Sequence, residues 1–454
     1  MKKLFYFLSF TVLIAFANCS DDDPDYIPVP PESEIENLSG TVSVAGEDTI
    51  YLKAGIKSAS ESSFTWTVEG ETIESTTDSV FKFTSTKPGD YTVWLTCTNK
   101  DGESKTSINL NVYGKFKYGT FVLNEGNMTK ENGSLIFISP KGAITDSVYL
   151  RVNGTELGNG SQDLFIKNKK MYILSQNGKK NITGSSFSSD GLLIVANAET
   201  LEKEAAYNEE LTSVLSWPTH VVVLNEENVF IRDGKGVYLF NTLTKNINYI
   251  EGTKGANKNR MAVAEGKVFV PCKNTVLVLK PGAVIAADTI DMGATVSGVI
   301  KSSDGNLWVS TTGKPHKIAK VNAKDHSVIR ENELSEGSVS SGVAATPGIG
   351  AIGDTLYFSG MGTKIYRHNF NSGTTELMVN AKEMVENATM LYNTIAVHPV
   401  TGEVYMNTIK GFGWDFLINN ISVFNFSGPE PTLSNNYKDY THFPAGVFFT
   451  SDFE

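Results

Sequence analysis

From about Phe116 onward one pattern recurs seven times: a strand centred on an aromatic residue, followed by a second apolar strand. The aromatics are Phe121, Tyr172, Phe230, Phe269, Trp308, Tyr357 and Tyr405, at intervals of 51, 58, 39, 39, 49 and 48 residues. Each has its partner, running from Leu135-Ile136-Phe137-Ile138 after the first to Ile421-Ser422-Val423-Phe424 after the last. Repeats of roughly 40 to 50 residues built only from strands indicate propeller blades, because the coils of a linear β solenoid are shorter.

Six of the aromatic strands are preceded by a further apolar strand, such as Val221-Val222-Val223-Leu224. The first lacks one, and His442 to Phe449 near the C-terminus has the needed character. The expected fold is all-β: an N-terminal immunoglobulin-like sandwich, then a seven-bladed β-propeller over 116–454 whose first blade is completed by the C-terminal strand. Such closure would leave every blade with a neighbour.

Residues 36–113 hold the sandwich. Short runs such as Phe64-Thr65-Trp66-Thr67-Val68 and Tyr91-Thr92-Val93-Trp94-Leu95-Thr96-Cys97 alternate with period two between turns. Trp66 and Trp94 stand within such runs, where tryptophan usually faces the core, and Cys97 has the surroundings of an inert buried thiol. Trp66, Pro88-Gly89-Asp90-Tyr91-Thr92-Val93 and Asn99-Lys100-Asp101-Gly102 resemble PKD-like modules of bacterial surface proteins.

Ahead of the sandwich, Lys2 and Lys3 precede an apolar run to Phe16, and Cys19 is followed by Asp21-Asp22-Asp23. A basic start, a short apolar region and a processing site make a signal peptide over 1–18, too short for a permanent membrane span. Cys19 at its end resembles the lipidated cysteine of a bacterial lipobox, although Asn18 is an untypical neighbour, and the acidic triplet resembles the export signal of Bacteroidetes surface lipoproteins. Residues 19–35, rich in proline and acid, would then be a lipidated tether. The expected location is the outer membrane at the cell surface, held by that lipid anchor.

With 39 basic and 50 acidic residues the chain carries −11, which disfavours non-specific nucleic-acid binding. Three dispersed cysteines and six histidines without HExxH spacing give no zinc signature. No nucleophile elbow, P-loop or dinucleotide motif sits where its fold needs it, and tryptophan-docking repeats like those of quinone-dependent dehydrogenases are missing. The expectation is binding without catalysis, with no cofactor and no metal.

In a propeller, the loops entering each first strand and leaving each second strand meet on one face, where ligands usually bind. That topology collects Asn124, Glu125, Gln162, Gln176, Trp217, His220, Arg232, Arg260, Lys273, Lys314, Phe412, Trp414 and His442 as candidate ligand contacts. Amides, cations and large aromatics on one surface suit a bulky polar ligand with apolar faces. Lys410-Gly411-Phe412-Gly413-Trp414-Asp415 is the densest element, although folding back onto the blade is an equal reading of its two aromatics.

Gly119-Thr120-Phe121-Val122-Leu123-Asn124-Glu125-Gly126-Asn127, with Gly133-Ser134-Leu135, resembles the opening of a family of seven-bladed Bacteroidetes surface propellers. Members of that family stand behind a lipid anchor and a PKD-like module, and one branch comprises corrinoid-binding lipoproteins that cap TonB-dependent cobalamin transporters. The resemblance implies capture of a corrinoid and hand-off to such a transporter. A glycan-binding or adhesion propeller is the second expectation, with Trp414, Phe412 or Trp217 stacking on sugar rings and Trp66 as a further platform. A propeller hydrolase or lyase using channel carboxylates is the third.

Overall fold

The computed structural model describes residues 26–69, 77–340, 346–360 and 362–453. The signal segment, Cys19 and the acidic triplet lie outside the described residues. The chain divides into two compact units, Met1–Lys117 and Tyr118–Glu454.

In the first unit a three-stranded sheet (Glu32–Asn37, Thr49–Lys57, Val80–Thr84) faces a four-stranded one (Ser43–Ala45, Gly102–Tyr113, Gly89–Asn99, Ser62–Glu69). Period-two alternation does what it must in a sandwich: Tyr91, Val93, Leu95 and Cys97 point inward while the residues between them face out or lie half-buried. Trp66 belongs to this core. It is fully buried, stacks on Phe81 with ring centroids 5.4 Å apart, and donates its indole N–H to the Asp78 carbonyl at 3.0 Å. A sugar platform at Trp66 is therefore excluded. Burial pushes the Cys97 thiol up to about 11, so it stays an unreactive hydrophobe.

Among the described residues the second unit contains seven four-stranded antiparallel sheets. Sheets 2 to 7 are simple meanders that begin at Asn159, His220, Ala262, Val296, Ile349 and Met390. Sheet 1 is assembled differently. Its outer three strands are Thr120–Asn124, Ser134–Ile138 and Ile144–Thr145, and the fourth is Pro444–Phe449, which pairs antiparallel with Thr120–Asn124 from the far end of the chain.

The repeating aromatics occupy the second strand of each sheet, and all seven are buried. A second strand has a sheet neighbour on either side and is covered on its faces, so it is buried along its length and mainly apolar; Thr120–Asn124 and Leu307–Thr311 are buried at every position. Side chains of successive sheets interlock in shared clusters. Tyr172 and Leu193 meet Val221 and Ile231 between sheets 2 and 3, and Tyr405 and Val423 meet Val122 and Ile136 between sheets 7 and 1. Each such buried aromatic or aliphatic side chain stabilises the unit by roughly 1.5–3 kcal/mol. The first strand of each sheet touches the next sheet's first strand, and that of sheet 7 lies against Pro444–Phe449.

Candidate functional site

Because the strands of each sheet alternate in direction, the entry to the first strand and the exit from the second lie at the same end. Hydrogen bonds knit these loops together across sheets. The Ile182 N–H donates to the Met128 carbonyl at 3.1 Å, joining sheets 1 and 2, and the Asn257 amide reaches the Val296 carbonyl at 2.9 Å, joining sheets 4 and 5. Two glycines of the opening motif serve this closeness. Gly126 adopts φ 74°, and a side chain at Gly133 would collide with Ser161 of sheet 2.

Arg260, in the loop entering sheet 4, reaches across to sheet 2. Its Nε donates to the Asp163 carboxylate at 3.1 Å, and its guanidinium lies 4.0 Å from the centroid of Phe448 in the last strand. Gly446 leaves the room it needs, since a Cβ there would collide with the guanidinium. Asp163 also accepts the Val221 N–H at 3.0 Å. Burial raises the Asp163 carboxyl to about 6 against the pull of Arg260, and raises Asp452, in the C-terminal turn, to about 7. Arg260, 21% exposed, is thus a structural cross-tie.

Nearer the loop end, Glu125 follows the second strand of sheet 1 and is only 7% exposed. Burial pushes its carboxyl up to about 7, while Lys258, Gln162 and Tyr392 beside it favour the ionised form. Gln162 is itself buried. Asn124 is buried too; its side chain donates to Ser134 Oγ at 3.0 Å and accepts the His442 N–H at 3.2 Å. The His442 ring meets Glu131 at 3.0 Å, and that contact raises the imidazole pKa and lowers the carboxylate's.

The aromatic candidates are presented to solvent. Trp414 is 75% exposed, Phe412 57% and Trp217 53%. Phe412 and Trp414 do not fold back: their short 3-10 turn, Gly413–Leu417, buries Phe416 instead, which stacks on Phe443 at 4.2 Å. Lys130 of sheet 1 sits 4.8 Å from the Trp414 ring centroid, and Lys410 pairs with Asp415 at 3.0 Å. Trp217 holds φ at 57°, a left-handed conformation costly for a bulky side chain.

The remaining candidates separate into two kinds. His220 is buried with its Nδ1 2.9 Å from Thr219 Oγ1, and Arg232 spends its donors on the Ala256 carbonyl and Thr219. Gln176 is buried. Lys273 and Lys314 are exposed in the turns of sheets 4 and 5. Phe412, Trp414, Trp217, Lys273 and Lys314 are thus open groups, whereas Asn124, His220, Arg232 and His442 are engaged within the protein. Asp163, Asp452 and Tyr392 escaped the sequence reading, because their partners are remote in the chain.

A cavity of about 250 Å³ opens beside this face between sheets 1 and 2, lined in part by Glu131, Asn132, Glu156, Tyr440 and His442. A larger hollow of about 570 Å³ is formed by the single loop 382–389 and touches none of the candidates. Among the described residues no three His, Cys, Asp or Glu side chains converge as metal ligands. None of the described helices is long and apolar enough to cross a membrane.

The model of a family described as a domain of unknown function, DUF5074, matches residues 118–450, well over half of the chain. The chain belongs to this family. A PKD domain matches residues 37–112, so the DUF5074 unit follows a PKD unit. Of solved structures, a quinonprotein alcohol dehydrogenase-like protein from Bacteroides thetaiotaomicron is similar over 93% of this chain and 99% of its own, with TM-score 0.56 and 17% identity. That likeness supports a propeller-like fold. A computationally designed protein, Ika8, and the dihydro-heme d1 dehydrogenase NirN are more distant, at TM-scores of 0.42 and 0.41 and 10% identity. No curated protein matches.

Proposed function

We propose that the seven sheets are blades of one propeller, closed where Pro444–Phe449 completes sheet 1, and that its loop face captures a nutrient without catalysis. The protein would stand at the outer-membrane surface on lipidated Cys19 and pass its ligand to a TonB-dependent transporter. A corrinoid is the proposed ligand, following the resemblance of the Gly119–Asn127 opening. The observation that carries the reading is the exposure of Phe412, Trp414 and Trp217 in the loop-end turns, where polar residues such as Asn124 and Arg232 are already engaged. Rigid loops carrying open aromatics bind a large flat ligand without an ordering cost. A non-catalytic role is supported by the fate of the channel carboxyls: Asp163 is tied to Arg260, and Glu125 is enclosed by Gln162 and Tyr392.

Equilibrium dialysis against cyanocobalamin, followed at the corrin visible band, tests the reading. One-to-one binding weakened about tenfold or more by Trp414→Ala supports it, corresponding to at least about 1.4 kcal/mol for one anchor side chain. Absence of corrinoid binding overturns the ligand. The same exposed aromatics favour a second reading, glycan binding, which an oligosaccharide panel run in parallel would reveal.

A further inference from the structure

The charge on the loop face runs against that of the whole chain. The turn following the second strand carries an exposed lysine in each of five consecutive sheets: Lys130, Lys180, Lys235, Lys273 and Lys314. Among the described residues none of the five has a carboxylate partner, in a chain of net charge −11 whose other lysines are frequently paired.

The carboxylates in the same turns are withdrawn. Asp233 is fully buried and accepts the Ser216, Lys235 and Gly236 backbone N–H groups, Asp190 pairs with Lys203, and Glu131 is held by His442. Sheet 7 differs in kind, since its lysine is paired with Asp415 and its turn offers Phe412 and Trp414.

We propose that the lysine turns of sheets 1 to 5 form an anion-binding arc, and that the face takes a ligand bearing phosphate or sulfate groups. Its oxyanions lie over the arc, and an apolar ring face rests against the sheet 7 turn. Exposed ammonium groups without a carboxylate partner raise the local potential for anions even on an acidic protein. The inference goes beyond the capture reading and does not depend on a corrinoid.

The test is calorimetry with three probes: inorganic tripolyphosphate, a sulfated tetrasaccharide and the same tetrasaccharide without sulfate. They are titrated into the wild type and into the triple variant Lys235→Gln/Lys273→Gln/Lys314→Gln, with thermal melting as the folding control. Binding of tripolyphosphate or of the sulfated sugar is expected, with at least about tenfold preference for the sulfated over the plain sugar. About tenfold loss is expected in the triple variant, and a similar loss between 50 and 300 mM salt. Binding of tripolyphosphate alone assigns the arc to phosphate. Equal binding of the two sugars without tripolyphosphate binding, no change in the triple variant, or no binding of either anionic probe would overturn the proposal. Failure of cyanocobalamin binding while an anionic probe binds would remove the corrinoid reading and leave the arc standing.

Discussion

Replacing Glu125 with Gln separates the cost of its buried carboxylate from everything else on the loop face. The carboxyl is 7% exposed, and burial raises it from 4.5 to about 7. A raised acid holds its proton more tightly in the folded than in the unfolded chain. Its stabilising contribution is therefore complete below about pH 4.5 and is lost as pH rises through about 7. The shift corresponds to about 3 kcal/mol. With about 2.1 cal/mol/K of unfolding entropy per residue, spread over the unit Tyr118–Glu454, that is a Tm difference of about 4 °C. Glu125→Gln is isosteric and uncharged, so it should match the wild type at pH 4 and melt up to about 4 °C higher at pH 8. Calorimetric melting of both proteins at the two pH values is the assay. A Tm gap between them that does not change with pH would refute the reasoning, since the buried carboxylate would then carry no ionisation cost.

Removing one partner of the central cross-tie acts in the opposite sense. Asp163→Ala leaves buried Arg260 with only the more distant charge of Asp452, and a loss of about 3 kcal/mol in urea unfolding is expected, with Arg260→Met alone costing less. Cys19→Ser tests the anchor: the variant should leave the membrane fraction and lose palmitate labelling, whereas unchanged membrane association would remove lipidation from the account.

Much of the fold was legible because a second strand has no polar side. Covered on both faces and flanked in its sheet, it carries an apolar centre, and Phe230 or Trp308 there is visible without any structure. The fourth strands were not legible for the converse reason. Val328–Glu333 is exposed almost throughout, so its residues carry no alternation to read. The loop face was reached by topology alone, which correctly brought Trp414 and Phe412 to solvent but could not say which polar residues are already spent. Arg232 looks like a free cation in sequence, and only folding brings the Ala256 carbonyl to it. Arg260 and Asp163 stand 97 residues apart, and no local pattern links them.

The most direct test of the account is an amide hydrogen-exchange footprint with and without saturating cyanocobalamin. The account predicts new protection concentrated in the turns around residues 125–133, 233–236 and 410–418 on the loop face, with the PKD unit unchanged. Protection confined to the outer strands or to the PKD unit, or none anywhere, would contradict it.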